Sequence, residues 1–286
     1  MKFRLIEDQR DTFPVRIMCD VMCVSPAGYY AWRGRPKSPR KAANRTLLTE
    51  IRRVHTTHRG RYGAPRIHAA LRAEGHTASR SRVERLMRHH GIRAITSRRF
   101  RVRTTDSHHD LPIAPNRLGQ NFAAGRPNQV WLADITYVPT GEGWLYLAAV
   151  LDLFTRKIVG WAMREHMQAE LTIAALTMAI QRQKPPPGVI HHSDRGSQYA
   201  AAGYRKVLDA AGMIQSMSRK GNCWDNAPME SCFGTLKTEL VHQACYKTQD
   251  AARHDLFAYI EGYYNRQRLH SALGYITPEQ AERQVA

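Results

Sequence analysis

The segment VWLADITYV, residues 130–138, constrains the fold of this chain more than any other. In an extended strand, even-numbered and odd-numbered side chains point to opposite faces, and here both sets are largely apolar. Such a strand belongs in the middle of a sheet that is covered on both sides. Its one charged residue, Asp134, would lie where an unpaired carboxylate is costly. The pattern therefore predicts a central strand with a positive group or ion beside Asp134.

The segments that follow predict a mixed sheet covered by helices. A turn at 141–143 leads into the strand WLYLAAVLDLF, and FTRK leads into a third strand, IVGWAM. Two more strands, VIHH and one around Ile214, alternate with helices at 169–182 and within AAGYRKVLDAAG, before a long helix from Asp225 toward His242. The predicted fold class is α/β, with a mixed five-stranded sheet and flanking helices over residues 128–245 and a helical C-terminal extension, 246–286.

Residues 1–97 predict an all-α region that binds DNA. Between Pro65 and Ile95, apolar residues recur at helical spacing in two groups; Gly75 ends the first helix, and Ser79 or Ser81 caps the second. Two short helices joined by a tight turn make a helix-turn-helix. The second helix carries basic side chains off its apolar stripe, namely Arg80, Arg82, Arg85 and Arg88. The alternative interpretation is a solvated basic face on a helical bundle.

The positive charge of the chain is concentrated in its first half. Residues 1–130 hold 27 Lys and Arg against 9 Asp and Glu, whereas residues 131–286 hold 16 against 15. This excess favours a polyanion as partner and argues against a carrier of acidic ligands. Residues 98–127 show no sustained period and contain several prolines, which predicts a linker that lets the two parts take independent positions.

Three carboxylates indicate the chemistry. Asp134 lies in the central strand, Asp194 directly follows a strand end, and Glu230 lies at the edge of a helix's apolar stripe. Oxygen ligands select hard cations such as Mg²⁺ or Mn²⁺, and two ions about 3.5–4 Å apart would bridge a scissile phosphate. We therefore predict phosphoryl transfer on a nucleic-acid backbone, with all three residues as catalytic metal ligands and no covalent protein nucleophile.

The motifs around these residues resemble a known family. WLADITYV, HHSDRGSQY and NAPMESCFGTLKTEL, with 59 and 35 residues between successive carboxylates, resemble the DDE catalytic core of the retroviral-integrase superfamily. More narrowly, DTFPVRIMC, GYYAW, YGAPRIHAAL and YYNRQRLHSALGYITP resemble the OrfB product of bacterial insertion sequences of the IS-three type. The likeness covers most of the chain.

The resemblance implies an RNase H-like core and Mg²⁺-dependent transposition. A family enzyme nicks an element end, and the freed 3′-hydroxyl attacks another phosphodiester, through a figure-eight intermediate and a circle. The expected partners are the DNA of element ends and target, OrfA or its fusion product, and further copies of the chain on DNA. The chain begins where OrfB begins, so we expect it to need OrfA for recognition of element ends.

Several residues near the carboxylates are candidate DNA contacts, each with a plainer alternative. Lys237 shares a helix face with Glu230 and matches a DNA-contacting lysine of the integrase pattern, or it is a solvated lysine. Asn226 either bonds the carboxylates or caps the helix. Arg219 and Lys220 either clamp DNA or are surface charges, and Gln198, with Gly196, either approaches DNA or shapes a turn.

Other polar residues receive mainly structural interpretations. Asp152 is expected to form hydrogen bonds at a strand end or to pair with Arg156, and His191 and His192 lack the further ligands of a zinc site. Asn265, Arg268 and His270 either contact DNA or pack the last helix.

The cellular setting is predicted from composition and from the resemblance. Five cysteines without metal spacing are expected to be reduced thiols. No apolar run approaches the roughly 18 residues of a membrane span, and the first residues lack the apolar core of a signal peptide. We therefore expect a cytoplasmic, nucleoid-associated bacterial protein. Two alternative functions remain open: a nuclease of the same fold that only hydrolyses, and a non-catalytic DNA-binding regulator.

Overall fold

A computed structural model of the chain describes residues 1–35, 38–96 and 111–285. The first three helices are α1 (Lys2–Gln9), α2 (Val15–Val21) and α3 (Pro26–Gly34). They enclose a small core of Ile6, Cys19 and Tyr29. Ser25 begins α3, because its hydroxyl accepts a hydrogen bond from the Gly28 N–H at 3.0 Å. This unit has its own apolar cluster, separate from those of the rest of the chain.

The predicted helix-turn-helix is present. It consists of α5 (Ala64–Ala73) and α6 (Arg80–His89), which pack on the preceding helix α4 (Pro39–Thr57). Gly75 follows α5 with φ +89°, a conformation that favours glycine. Of the two serines proposed as caps, Ser79 is the N-cap: its hydroxyl accepts from the Arg82 N–H at 3.4 Å. The turn chemistry of the sequence therefore sets both helix limits.

A five-stranded mixed sheet forms the second part, as the sequence predicts. Its strands are β1 (Val130–Thr140), β2 (Gly143–Asp152), β3 (Ile158–Arg164), β4 (Ile190–Ser193) and β5 (Ile214–Met217). Their spatial order is β3-β2-β1-β4-β5, with antiparallel pairing among the first three strands and parallel pairing from β1 through β4 to β5. The apolar strand with which the sequence analysis began, β1, is therefore the central strand.

Helices cover both faces of this sheet. They are α7 (Ala169–Gln183), α8 (Ser197–Ala200), α9 (Ala202–Ala210) and α10 (Ala227–Glu239), the last preceded by a 3-10 turn at Cys223–Asn226. One face buries Trp131 and Ala133 of β1 under α7 and α9. Helix α7 approaches β3 closely at Gly160, where an added Cβ would lie 2.3 Å from the Ala175 carbonyl oxygen. The short helix α8 was not predicted.

The other face of the sheet joins the sheet domain to the N-terminal helices. Val130, Leu132 and Val138 of β1 belong to one apolar cluster together with Met229 of α10 and Ile51 of α4. A continuous core thus runs from the sheet through α10 into the helix-turn-helix region. Burial of this shared apolar surface holds the two parts together.

The C-terminal extension is helical, as expected, and it lies at the junction of these two parts. It comprises α11 (Gln249–Phe257), a π-helical segment at Ala258–Tyr264, a 3-10 turn at Ser271–Leu273, and α12 (Pro278–Arg283). Tyr62, just before α5, donates its hydroxyl to the Gln267 carbonyl at 3.1 Å and accepts from the Leu269 N–H at 2.8 Å. Arg66 donates to the Leu269 carbonyl at 2.9 Å.

These contacts correct the prediction of independently positioned parts. The prolines in residues 98–127 predict a free linker, but such local signals do not report contacts with distant segments. Residues 97–110 lie outside the described chain, whereas Leu118 is buried in the shared core and the Arg117 N–H donates to Ser216 Oγ at 2.9 Å. The described part of the predicted linker is therefore packed on the sheet domain.

Thiol and membrane features complete the description. Cys19, Cys23, Cys232 and Cys245 carry free thiols. Within the described ranges, none of the helices combines the length and the apolar character needed to cross a lipid bilayer.

Candidate active site

Asp134 lies on β1, two residues past the last residue of β1 that pairs with β4. The last parallel pair is Leu132 with His192, so the chain at Asp134 faces an open edge of the sheet. Asp134 Oδ1 accepts a hydrogen bond from the Ile135 N–H at 2.7 Å. Burial, followed by the negative charges of Asp194 and Glu230, raises the pKa of Asp134 well above its ordinary value. A cation placed here would relieve this electrostatic cost.

Asp194 lies one residue past the carboxyl end of β4, as predicted. Its Oδ1 accepts from the Gly196 N–H at 2.9 Å. A Cβ at Gly196 would lie 3.1 Å from Asp194 Oδ1 and 2.8 Å from Gln198 Oε1, so glycine permits this tight turn. The Gln198 side chain donates to the Met167 carbonyl at 2.8 Å, which ties the turn to the segment before α7.

Glu230 lies in the first turn of α10, where the helix dipole favours a carboxylate. The helix buries Met229 and Phe233 in the shared core, which leaves Glu230 exposed. Although the residue is exposed overall, partial burial of its carboxylate raises the pKa of Glu230 above its ordinary value. The helical spacing read from the sequence therefore places this residue as predicted, beside the apolar stripe.

Asp134 and Glu230 line one cleft of about 930 Å³. The helix-turn-helix region contributes Arg61 and Arg66 to its wall, and the C-terminal extension contributes Arg268. Asp194 is not among the lining residues, although its charge acts on Asp134. The cleft thus lies between the DNA-binding region predicted from the sequence and the edge of the sheet that bears Asp134.

The three carboxylates are not packed as tightly as a closed metal cage. Among residues 1–35, 38–96 and 111–285, one set of three acidic or histidine ligand atoms lies within 4.8 Å of one another, and it comprises Glu50, Glu74 and His76. Arg53 pairs with both glutamates of that set and offsets part of their negative charge. Asp134, Asp194 and Glu230 therefore interact through charge at longer range.

The donor set of the cleft fits a hard divalent cation. Its acidic ligands are all oxygens, which Mg²⁺ and Mn²⁺ prefer. Asn226 is buried beside them: its Nδ2 donates to the Ala133 carbonyl at 3.2 Å, and its Oδ1 has no hydrogen-bond partner among the described residues. From the sequence, Asn226 is expected either to bond the carboxylates or to cap the helix. Instead, Asn226 anchors the start of α10 to β1 next to Asp134.

Lys237 faces the same cleft, as its helical offset from Glu230 predicts. Its Nζ lies 4.5 Å from the centre of the Tyr137 ring, a cation–π contact. Burial lowers the pKa of Lys237, and the charge of Asp134 opposes that change. The lysine is thus half-buried beside the carboxylates, and its contact with DNA stays a prediction.

The loop between β5 and α10 has a fixed anchor that the sequence did not reveal. Asp225 is fully buried and accepts three hydrogen bonds from Arg219: from its backbone N–H at 2.8 Å, from Nε at 3.0 Å and from Nη2 at 2.8 Å. Asn116 and Gln120 donate to the same carboxylate at 2.9 and 3.0 Å. The Arg219 side chain is half-exposed and Lys220 is exposed. Arg219 therefore fixes this loop through its hydrogen bonds to Asp225, and its contact with DNA stays a prediction.

Two of the four predicted DNA-binding arginines on α6 have protein partners. Arg82 Nε donates to Asn44 Oδ1 at 2.9 Å, and Arg88 pairs with Glu84 of the same helix at 2.8 Å. Arg80 and Arg85 are exposed. The solvent-facing side of α6 is therefore basic, as the sequence analysis expected.

The residues interpreted as structural occupy buried positions. Asp152 Oδ1 accepts from the N–H and hydroxyl of Thr155, both at 2.8 Å, which confirms its strand-end role. His191 and His192 are buried, bonded to Tyr204 and to Ser216 at 2.9 Å each.

For the C-terminal residues the structure favours packing over DNA contact. Asn265 exchanges two hydrogen bonds with Ile158 of β3, and Arg268 pairs with Glu239 at the end of α10. His270 is buried next to Arg268.

Comparison with protein families agrees with this architecture. Two models described as integrase core domains match residues 124–223 and 211–278, and a model described as an HTH-like domain matches residues 42–100. Among solved structures, an intasome of simian T-cell lymphotropic virus is similar over 81% of this chain and 74% of its own, at 18% identity and a TM-score of 0.47.

Full-length relatives are much closer in sequence. The chain is 50% identical to the insertion element IS600 31 kDa protein of Shigella sonnei, over 91% of this chain and 96% of that protein. It is 42% identical to transposase InsF of insertion sequence IS3A from Escherichia coli, over 99% and 98% of the two chains. With such identity over its whole length, the chain belongs to the IS3 family of transposases, enzymes that carry an integrase catalytic core.

Proposed function

We propose that Asp134, Asp194 and Glu230 are the catalytic residues of this transposase and that they bind two Mg²⁺ ions, or Mn²⁺ in their place. The observation that carries the proposal is that Asp134 and Glu230 share one cleft, while burial and then the charge of Asp194 raise the pKa of Asp134. Asp134 is repelled by the charges of both Asp194 and Glu230, and carboxylate oxygens arranged in this way suit divalent cations.

The reaction is cleavage and transfer of DNA strands. Bound cations would lower the pKa of the attacking hydroxyl and offset charge on the phosphate. In strand transfer the 3′-hydroxyl oxygen bonds to phosphorus and the bond from phosphorus to the leaving 3′-oxygen breaks. The proton of the attacking hydroxyl passes to solvent, and the leaving oxygen takes a proton from solvent; in cleavage, water is the attacking group. Lys237 binds a phosphate next to the scissile one, and Asn226 holds the start of α10 against β1, so that Glu230 stays opposite Asp134.

DNA reaches this cleft from the helix-turn-helix region. Arg80 and Arg85 of α6 bind backbone phosphates, with Arg82 and Arg88 beside them. Because the region is fixed to the C-terminal extension through Tyr62 and Arg66, bound DNA is held at a defined position relative to the cleft. Arg219 and Lys220 lie in the loop after β5, and Gln198 lies in α8 after β4. We assign all three to contacts with the DNA strand.

The proposed setting follows from the family. The chain acts on the ends of its insertion sequence and on target DNA, in the bacterial cytoplasm at the nucleoid. It works with OrfA or as part of a fusion with it, and as an oligomer on DNA. These partners supply end recognition, which the described residues alone do not explain.

A strand-transfer assay tests the proposal. The full chain, with OrfA supplied, is incubated with Mg²⁺, DNA carrying the element ends and a target plasmid. We expect nicked ends and joined products from the wild type, and neither from Asp194→Asn, which conserves side-chain size. Hydrolysed ends without any joined product would indicate a nuclease. Cleavage by Asp194→Asn at the wild-type rate would indicate that the carboxylates are not catalytic.

A further inference from the structure

Two aromatic rings lie near the turn end of the β1–β2 hairpin. Tyr137 on β1 and Trp144 on β2 meet edge to face, with ring centres 4.8 Å apart and planes at 88°. Trp144 is 49% exposed. Neither ring belongs to an apolar cluster of the described residues, so neither is used to stabilise the core. The pair therefore presents an aromatic surface to solvent.

The location of this pair connects it to the carboxylates. Tyr137 lines the same cleft as Asp134 and Glu230. It lies three residues after Asp134 on β1, about 10 Å along the strand at roughly 3.3 Å per residue. An odd offset turns the two side chains to opposite faces of the strand, and both border the cleft. Because one DNA strand advances about 3.4 Å per nucleotide, a base about three nucleotides from a phosphate at Asp134 would reach the rings.

Charge at the rings identifies the kind of ligand. Lys237 Nζ lies 4.5 Å from the centre of the Tyr137 ring, so a cation and an aromatic face are side by side. Arg61 and Arg66 line the same cleft. Aromatic rings flanked by cations bind nucleic acid that is not base-paired, because each base can stack on a ring while its phosphate meets the positive charge. A paired base in the interior of a duplex keeps both faces stacked and offers no such surface.

We propose that Tyr137 and Trp144 form a stacking site for an unpaired DNA base close to the scissile phosphate, with Lys237 binding the phosphate next to that base. The inference rests on the proposed function, since it takes DNA as the substrate of the cleft. It adds a preference for DNA whose strands are separated within about three nucleotides of the reacting position. The exposed ring of Trp144 supplies the stacking face, and Tyr137 orients both Trp144 and Lys237.

The test is a binding measurement without divalent ions, so that it does not depend on catalysis. The full chain is titrated with a blunt duplex and with the same duplex carrying a three-nucleotide single-stranded end that contains 2-aminopurine. We expect quenching of the 2-aminopurine fluorescence and at least about fivefold tighter binding of the open-ended DNA, the lower range for one stacked base. In Trp144→Ala and Tyr137→Leu, both the quenching and the difference between the two DNAs should be lost.

Phe257→Ala is the matched control. Phe257 is also half-exposed and meets Trp161 edge to face, but it lies on a different surface, formed by β3, α7 and α11. This variant should keep the wild-type quenching and DNA preference. Thermal melting of each variant verifies the fold, and Trp144→Ala carries the test if Tyr137→Leu unfolds.

Three results would overturn the inference. The first is an unchanged fluorescence and DNA preference in Trp144→Ala. The second is an equal loss of affinity for both DNAs, which would assign the rings to duplex binding. The third is altered self-association or OrfA binding in Trp144→Ala with an unchanged 2-aminopurine signal, which would assign Trp144 to a protein contact. Failure of strand transfer in the wild type would count against the proposed function. It would not change the outcome of this binding test, which contains no divalent ions.

Discussion

Glu239, at the end of the helix that carries Glu230, forms a buried ion pair with Arg268 of the C-terminal extension. Arg268 Nη2 lies 2.8 Å from Glu239 Oε1, and both side chains are less than one-tenth exposed. Burial alone would lower the pKa of Arg268, but the hydrogen bonds and charge of Glu239 outweigh that effect and raise it. Tyr259 donates to the same carboxylate at 2.9 Å, and Arg61 donates to the Glu239 carbonyl at 3.1 Å. The helix-turn-helix region, the sheet domain and the C-terminal extension therefore meet at Glu239.

Breaking this pair should destabilise the whole chain. Arg268→Met leaves the Glu239 carboxylate buried without its main partner, and we expect a loss of about 3–5 kcal/mol in the free energy of unfolding, measured with urea. Arg283→Met is the control, because Arg283 pairs with Glu279 on an exposed helix face, where about 0.5 kcal/mol or less is expected. A similar small change in both variants would contradict the junction described here.

His270 should make stability depend on pH. Burial, then the nearby positive charges of Arg268, Arg66 and Arg156, lowers the pKa of His270 from 6.5 to about 3. The unfolded chain therefore binds a proton at His270 more readily than the folded chain. As the pH falls from about 6.5 toward 3, protonation of the unfolded chain lowers the free energy of unfolding. Between pH 7 and pH 5 the His270 contribution amounts to about 2 kcal/mol.

The variant His270→Gln isolates this contribution, since glutamine still offers Arg268 an acceptor oxygen. Between pH 7 and pH 5, the free energy of unfolding of the wild type should fall by about 2 kcal/mol more than that of the variant. Parallel stability curves for the two proteins would show that His270 is not the group that titrates.

The Asp225 anchor should stabilise the loop before α10. Asp225→Asn removes the charge that Arg219, Asn116 and Gln120 bind, and we expect a loss of about 2 kcal/mol in the free energy of unfolding. Adding Arg219→Met to this variant should cost little more, because its partner charge is already gone. Asp250→Asn serves as control, since Asp250 is 97% exposed. Additive losses in the double variant would argue against the pair.

The exposed arginines of α6 should determine the salt dependence of DNA binding. Each phosphate contact that is lost lowers the slope of log affinity against log salt by about 1. Arg80→Ala with Arg85→Ala should therefore reduce the slope by about 2, measured by fluorescence anisotropy on duplex DNA. Arg88→Ala, which removes a side chain already paired with Glu84, should change it less. A slope unaffected by the double variant would assign α6 to a solvated surface.

Local patterns were sufficient for most of the fold. The two apolar faces of β1 predicted a central strand, and turn residues such as Gly75 and Ser79 set helix limits, because these signals act within a few residues. The offset between Glu230 and Lys237 likewise predicted that both face one side of α10. Helical geometry alone fixes that relationship.

The features that escaped prediction depend on distant contacts. Asp225 resembles a residue at a helix start in the sequence, and its burial depends on Asn116 and Gln120, more than 100 positions earlier. Tyr62 joins the helix-turn-helix region to Gln267, 205 positions later. No periodicity reports such pairs, and the prolines between them favoured an open linker. The packed junction follows only from the tertiary structure.

The central claim is that Asp134, Asp194 and Glu230 together bind divalent cations. Crystals of the full chain soaked in Mn²⁺ and recorded at the manganese absorption edge test it directly. The account predicts anomalous density in contact with oxygens of all three carboxylates, and its loss in Asp134→Asn. Density confined to Glu50, Glu74 and His76, or none at Asp134, would contradict it.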